Sequence, residues 1–217
     1  MKGAGRAFSV GYDVSPRAEP ITTVAGWREH ALMGDGVCLK VWDLAKPVIA
    51  QLHGYCLGGG CDLALTCDLA IAAEGTLIGE PEIRMASNPP FPILPWVIGM
   101  RKTKELLFTG DPIEAAEAHR IGLVNHVVPA EELEEGVDKL ATKLSRIAAP
   151  ALQYAKTTVN HAFDLMGARA GTAYGMELFV QTQSTLTPER AEFNRIRDAE
   201  GLRAAIRWRE SLFEGLD

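Results

Sequence analysis

The stretch that most limits the fold is 46–75, KPVIAQLHGYCLGGGCDLALTCDLAIAAEG. An apolar run, KPVIAQLHG, is closed by Gly54. A helical run, GGGCDLALTC, opens on Gly58, Gly59 and Gly60, and a second apolar run, DLAIAAEG, follows. Strand, helix and strand inside thirty residues imply an α/β unit with a right-handed crossover. Amides at a helix N-terminus have no intrahelical acceptor, and the helix dipole favours negative charge there. Glycines remove the Cβ atoms that would keep a ligand oxygen away. Asp62 lies three residues beyond Gly59, on the same helical face one turn on. A backbone donor and a carboxylate thus point at a common space, as in an oxyanion hole. Equally, the glycines permit close helix–strand packing, and Asp62 occupies a first turn where acids are favoured. These residues alone leave both readings open.

Around this unit the organisation changes once. The start, GAGRAFSVGYDVSPRAEP, is irregular, and a helix is expected over 27–42. TLIGEPEI reads as a short strand running into a loop. NPPFPILPWVI, with Pro89, Pro90, Pro92 and Pro95, reads as a rigid apolar loop, since proline removes donors. KTKELLFTG and DPIEAAEAHRIG read as helices, and LVNHVVP as a strand ended by Pro129. From Glu131 the strand signals stop, and four runs show apolar residues at three- and four-residue spacing. Thr187 before Pro188 reads as an N-cap with proline in first place. The expected organisation is an α/β core over 1–130 and a helical region over 131–217.

Composition excludes several classes. Of 217 residues 47% are hydrophobic, and the net charge of −6 argues against broad nucleic-acid binding, which needs a basic face. The Arg-rich FNRIRDAEGLRAAIRWRE is read as a solvated amphipathic helix, because acids are interspersed. No run reaches the roughly 18 apolar residues of a membrane span, and MKGAGRAFSV has no apolar core of signal-peptide type. Cys38, Cys56, Cys61 and Cys67 fit no zinc spacing and are expected as reduced core residues of a cytoplasmic protein. His30, His119, His126 and His161 show no paired ligand spacing, so no metal is expected, and His53, at a strand end, is read as a satisfied core or edge histidine rather than a base.

Two other glycine readings need weighing. Gly3-Ala-Gly5 suggests a dinucleotide loop, but its third glycine would fall on Phe8 and no strand precedes it. Gly54-Tyr-Cys56-Leu-Gly58 matches a cysteine version of the nucleophile elbow, with Asp111 and His119 or His126 as partners. Barely fifty residues precede it, too few for the strands such a hydrolase needs, so Cys56 is expected in the core.

KPVIAQLHGYCLGGGCDLALTCDLAIAAEGTLIGEPEI, then ELLFTGDPIEAAEAHRIGLVNHVVP, together with GAGRAFSVGYD, resembles the enoyl-CoA hydratase/isomerase (crotonase) superfamily. The resemblance covers nearly the whole chain. It implies a crotonase-like α/β spiral of ββα units followed by helices. It also implies an acyl-CoA thioester substrate with no separate cofactor, and a homotrimer or dimer of trimers packed through the helical region. By motif position the thioester enolate would meet the amides of Tyr12 and Gly59. Asp62 and Glu82, twenty residues apart as in the family, would be the catalytic acids; Glu80 shares an extended face with Glu82, but the motif favours Glu82. Ala7, Ser9, Gly11, Asp13, Gly58, Pro90 and Phe91 would line the substrate. Phe91 and Trp96 serve equally well as acyl-pocket walls or core, and Asp13 as a turn former.

The chain also departs from the family pattern. Asp62 stands where glutamate is usual, one methylene shorter. Pro90 stands where a glycine amide usually helps organise the site, and has no N–H to give. Arg207-Trp208-Arg209 replaces a Glu-Lys-Arg cluster near the CoA phosphates. Family members carry strands and a helix before the first motif, and this chain begins inside it, which implies an uncovered sheet edge and part of the CoA-adenine pocket missing. Hydration of a 2-enoyl-CoA is the leading expectation; a double-bond isomerase using Glu82, an acyl-CoA hydrolase and a non-catalytic remnant stay open.

Overall fold

The computed structural model describes residues 1–216. Its first residues run beside strands: the Met1 carbonyl accepts from Gln51 N–H at 2.9 Å, and Ser9 forms a parallel bridge with Cys56. Helix α1 (Val24–Trp42) starts where Thr23 Oγ1 accepts the Gly26 N–H at 3.0 Å, an N-cap that supplies one of the four missing acceptors.

Next come β1 (Ile49–Leu52), β2 (Tyr55–Leu57), α2 (Gly59–Leu65), β3 (Leu69–Ala73) and β4 (Leu77–Gly79). The two later strands are β5 (Ile113–Glu114) and β6 (His126–Val128). The strands sort into two sheets, β1-β3-β6 all parallel and β2-β4-β5 with β5 antiparallel. The successive pairs β1–β2 and β3–β4 each put one strand in each sheet before the chain returns, which makes it a spiral. Strand β3 is buried at four of its five positions, as expected of a parallel strand covered on both faces.

Sequence reading ended the first strand at Gly54 and missed β2. The chain instead turns a corner there, with Gly54 at φ +64°, and a Cβ would collide with the Arg6 carbonyl. This corner carries the chain from one sheet to the other and delivers Gly58 to the start of α2. The core between the sheets centres on Leu52, Cys56, Cys61, Ala72, Ile78 and Leu94.

The proline segment is not wholly a loop. Helix α3 (Leu94–Ile98) forms within it, because Pro95 sits in the first turn, where a missing N–H removes no bond. Helices α4 (Met100–Thr109) and α5 (Ala115–Arg120) follow. Beyond β6 the described chain is helical: α6 (Leu133–Ser145), α7 (Ala149–Leu165), α8 (Ala168–Ser184), α9 (Pro188–Glu200) and α10 (Leu202–Ser211). The last run, expected as one helix, is broken at Gly201, whose φ of +91° an L side chain rarely adopts. Thr187 caps α9 as expected, its Oγ1 accepting from Arg190 N–H at 3.3 Å.

Three contacts fix the helical half to the core. Lys156 on α7 reaches back to the Asp68 carboxylate at 2.8 Å and the Val41 carbonyl at 3.2 Å. Helix α8 packs on α1 through Ala31, Met176, Phe179 and Val180. Trp96 and Pro92 of the proline segment enter notches on α8 left by Gly171 and Gly175, where a Cβ would collide with each.

Candidate active site

Gly59 is the first residue of α2, so its N–H has no acceptor in its own helix. Gly58, just before it, adopts φ +55° and ψ −133°, a conformation open to glycine. Its carbonyl accepts from Cys61 and Asp62 N–H at 2.6 and 3.0 Å, so the first turn closes behind Gly59. Gly11, at φ +91°, lies against this point: a Cβ on it would be 3.2 Å from the Gly59 nitrogen. The segment is held there by Ser9, which exchanges backbone bonds with Tyr55 and Leu57 at 3.0 Å. Among the described residues no acceptor takes the N–H of Tyr12 or of Gly59.

The carboxylates come from two other directions. Asp62 projects from the first turn of α2 and is 1% exposed, with Oδ2 lacking any donor. Glu82 comes from the 3-10 turn Pro81–Met85 and is 9% exposed. Its Oε1 lies 2.5 Å from the place a Gly58 Cβ would occupy, so Gly58 is glycine for the sake of Glu82 as well as of its own backbone. Burial pushes the Asp62 carboxyl well above the ordinary carboxylate range, and the charges of Glu82 and then Asp35 push it further, while the Phe91 backbone N–H pulls the other way. Burial also raises Glu82, but its own backbone amide and the neighbouring Glu80 carboxyl oppose this. Both acids are therefore raised, Asp62 the more strongly.

The structure thus brings Gly11, Tyr12, Gly58, Gly59, Asp62 and Glu82 together, with Phe91 buried where its backbone meets Asp62 and its neighbour Pro90 buried too. Ala7 and Ser9 lie to one side, on an open crevice of about 730 Å³ shared with Arg6, Val10 and Tyr55. Asp13 does not join the site: it is exposed, and its Oδ1 accepts from Ser15 N–H at 2.9 Å, the turn-forming role.

Two features escaped sequence reading. The Tyr12 ring, beyond its amide, lies against Gly59 and the mid-helix Gly34 of α1, either of which would strike it with a Cβ. Burial and the charges of Asp62 and Asp35 hold its phenol protonated. Asp35 is a third acid at this wall, 6% exposed, with Oδ1 lacking a donor, and burial pushes its carboxyl up to about 7. An acid four residues after Ala31 and three before Cys38, on the buried stripe of α1, was the available signal. Glu80, set aside for Glu82 on motif position, is also 1% exposed and, among the described residues, without a donor.

The cysteine-elbow reading is overturned. Cys56 is 0% exposed and its thiol donates to the Gly60 carbonyl at 3.6 Å. Of its proposed partners, Asp111 is engaged with Arg84 and His119 with the Val124 carbonyl, and His126 is exposed on β6.

Residues 1–199 match the family model described as enoyl-CoA hydratase/isomerase. The chain belongs to the enoyl-CoA hydratase/isomerase family. It is 38% identical over 164 residues to the short-chain-enoyl-CoA hydratase of Clostridium acetobutylicum, covering 74% of this chain and 62% of that one. A probable enoyl-CoA hydratase of Mycobacterium tuberculosis is 37% identical over 182 residues, covering 82% and 69%. The chain thus spans between three-fifths and seven-tenths of the length of these relatives. The crystal structure of an enoyl-CoA hydratase/isomerase from Xanthobacter autotrophicus Py2 superposes with a TM-score of 0.91 at 30% identity, covering 99% of this chain and 80% of that one. This family member therefore has the crotonase fold, the α/β spiral with a helical C-terminal region.

Proposed function

We propose that the protein is an enoyl-CoA hydratase, adding water across the 2,3 double bond of a 2-enoyl-CoA thioester. The observation that supports this reading is the approach of the Gly11–Tyr12 segment to the Gly59 amide, beside a pair of buried acids, Asp62 and Glu82. The amides would hold the thioester oxygen as negative charge collects on it, which fixed donors in a water-poor site favour by several kcal/mol. The electrostatics divide the proton work. Glu82, the less strongly raised of the two, would take a proton from water as the oxygen bonds to C3. Asp62, kept protonated, would give one to C2 as the enolate collapses, and the proton count closes. Coenzyme A enters as part of the substrate.

Asp62 is more enclosed than Glu82. That supports a second reading, in which Glu82 alone moves a proton between C2 and C4 of a 3-enoyl-CoA. Loss of the conjugated absorbance of crotonyl-CoA is the test. Hydration is refuted if this absorbance stays constant while a 3-enoyl-CoA is converted to its 2-enoyl isomer.

The assembly we propose is a homotrimer or a pair of trimers. Tyr154 and Leu165 on α7, Met166 after it, and Tyr174 on α8 are apolar side chains left largely exposed, and a second copy would cover them. Among the described residues no helix is long and apolar enough to cross a membrane. Sedimentation velocity of the purified chain checks the assembly, and a monomer at micromolar concentration counts against it.

A further inference from the structure

Glu80 is the most enclosed acid of the site and has no task in the reading above. It precedes the 3-10 turn Pro81–Met85, is 1% exposed, and neither of its oxygens meets a donor among the described residues. After burial, the charge of Asp62 bears on it most strongly, then Cys61 and Glu82, and across Pro81 its carboxyl is a hydrogen-bond neighbour of Glu82. Glu82 has a matching lack. Its Oε1 faces Gly58, while Oε2, 3.8 Å from the Gly58 Cβ position, is buried without a donor.

Two adjoining carboxylates in such a place repel each other and are both cut off from water. A single proton between them removes one charge and supplies the missing donor, since a protonated carboxyl donates while a carboxylate only accepts. The two sites are not equal. Glu82 has its own backbone N–H to steady a negative charge. Glu80 has no such amide and is buried more deeply. The proton therefore belongs on Glu80. Two nearby basic groups are engaged elsewhere: Arg84, on the turn itself, with Asp111 and Glu210, and Arg190 of α9 with the Ala86 and Thr182 carbonyls.

We propose that Glu80 is a permanently protonated positioning residue: it donates an O–H hydrogen bond to Glu82 Oε2, keeping Glu82 ionised with Oε1 turned to the substrate side of Gly58. This deepens the proposed function, because it needs Glu82 as the base.

Two substitutions separate a donor from a filler. In Glu80→Gln the amide N–H replaces the acid O–H, so kcat for crotonyl-CoA should stay within about threefold with the acid limb of the pH profile in place. In Glu80→Leu the donor is gone. Then kcat should fall about tenfold or more, the worth of one hydrogen bond to a charged group, while KM stays within about twofold. The acid limb should also move to higher pH, because an ionised Glu82 that loses a donor binds its proton more tightly. Profiles of Glu80→Leu and parent that superimpose, or Gln and Leu variants impaired alike, would overturn the proposal.

The infrared spectrum of the unliganded protein gives a readout independent of turnover. At neutral pH Glu80→Gln should remove one protonated-carboxyl band that Asp62→Asn and Asp35→Asn leave in place. An inactive parent that keeps this Glu80 band refutes the hydratase reading and supports the shared proton. A parent from which Glu80→Gln removes no such band refutes the shared proton, whatever the activity.

Discussion

The ring of Tyr12 occupies the space that a side chain at position 59 would need: a Cβ there would come within 2.7 Å of Tyr12 Cδ2. One residue thus contributes an amide from its backbone and, with its ring, enforces glycine at the position of the other amide. Gly59→Ala must push the ring aside and disturb both donors. It should lower kcat about 100-fold or more, the scale seen for loss of one oxyanion donor. Tyr12→Ala keeps the amide and removes only the ring, so its loss in kcat should be much the smaller. Steady-state kinetics on crotonyl-CoA compares them, and equal losses would mean that the amides are not what the ring protects.

Glu82 and Asp62 should fail in different ways. Glu82→Gln removes the proposed base and should cost about 10²–10⁴ in kcat for hydration. Asp62→Asn removes the proton donor and should abolish hydration to a similar extent while sparing any 3-enoyl-CoA isomerisation, which needs Glu82 alone. Cys56→Ala should leave both activities intact. A Cys56→Ala protein that folds but turns over nothing would revive the nucleophile reading.

Asp35 makes a statement about stability and pH. Its carboxyl titrates at 3.8 in the ordinary state and about 7 in the fold. Below about pH 4 both states carry the proton and Asp35 contributes no difference. Between there and about 7 the folded protein holds a proton that the unfolded chain has released, so stability falls as pH rises and stays low above 7. Asp35→Asn removes this penalty. It should stabilise the protein by about 1–3 kcal/mol at pH 8 and by almost nothing near pH 4, read from urea unfolding at both values. A gain that is the same at both values would show that the titration of Asp35 is not its source.

Lys156 and Asp68 form the buried ion pair that ties α7 to the core, with side chains 6% and 18% exposed. Lys156→Met leaves Asp68 without its charged partner in a poorly hydrated place. The expected loss is about 3–5 kcal/mol in chemical denaturation, the usual result of removing one member of such a pair. A loss below about 1 kcal/mol would place the pair with ordinary surface ion pairs.

The legible parts of the sequence were those with a period or a forced conformation. The glycine run at 58–60 announced the junction that β2 and α2 form, and the apolar run of β3 announced a strand buried on both faces. Gly11, Gly59, Asp62 and Glu82 were found by motif and lie together. What stayed hidden depends on chain crossing. Three residues, Tyr55–Leu57, are too few to show a strand period, so β2 was read as part of the glycine turn. Asp35 lies twenty-seven residues before Asp62, and only the packing of α1 beside α2 makes it a neighbour. Glu80 was visible as a residue two places from Glu82, yet its burial, and hence its need for a proton, comes from Cys61 and Asp62 on another element.

The two notches on α8 have a consequence for how this protein tolerates change. Trp96 and Pro92 are seated at Gly171 and Gly175, and the same proline segment carries Phe91, whose amide bears on Asp62. A methyl group added at either notch would lift that segment and loosen the grip on the acid. The helical tail therefore acts as a remote adjusting screw for the chemistry, and drift in a region that never meets the substrate can detune it.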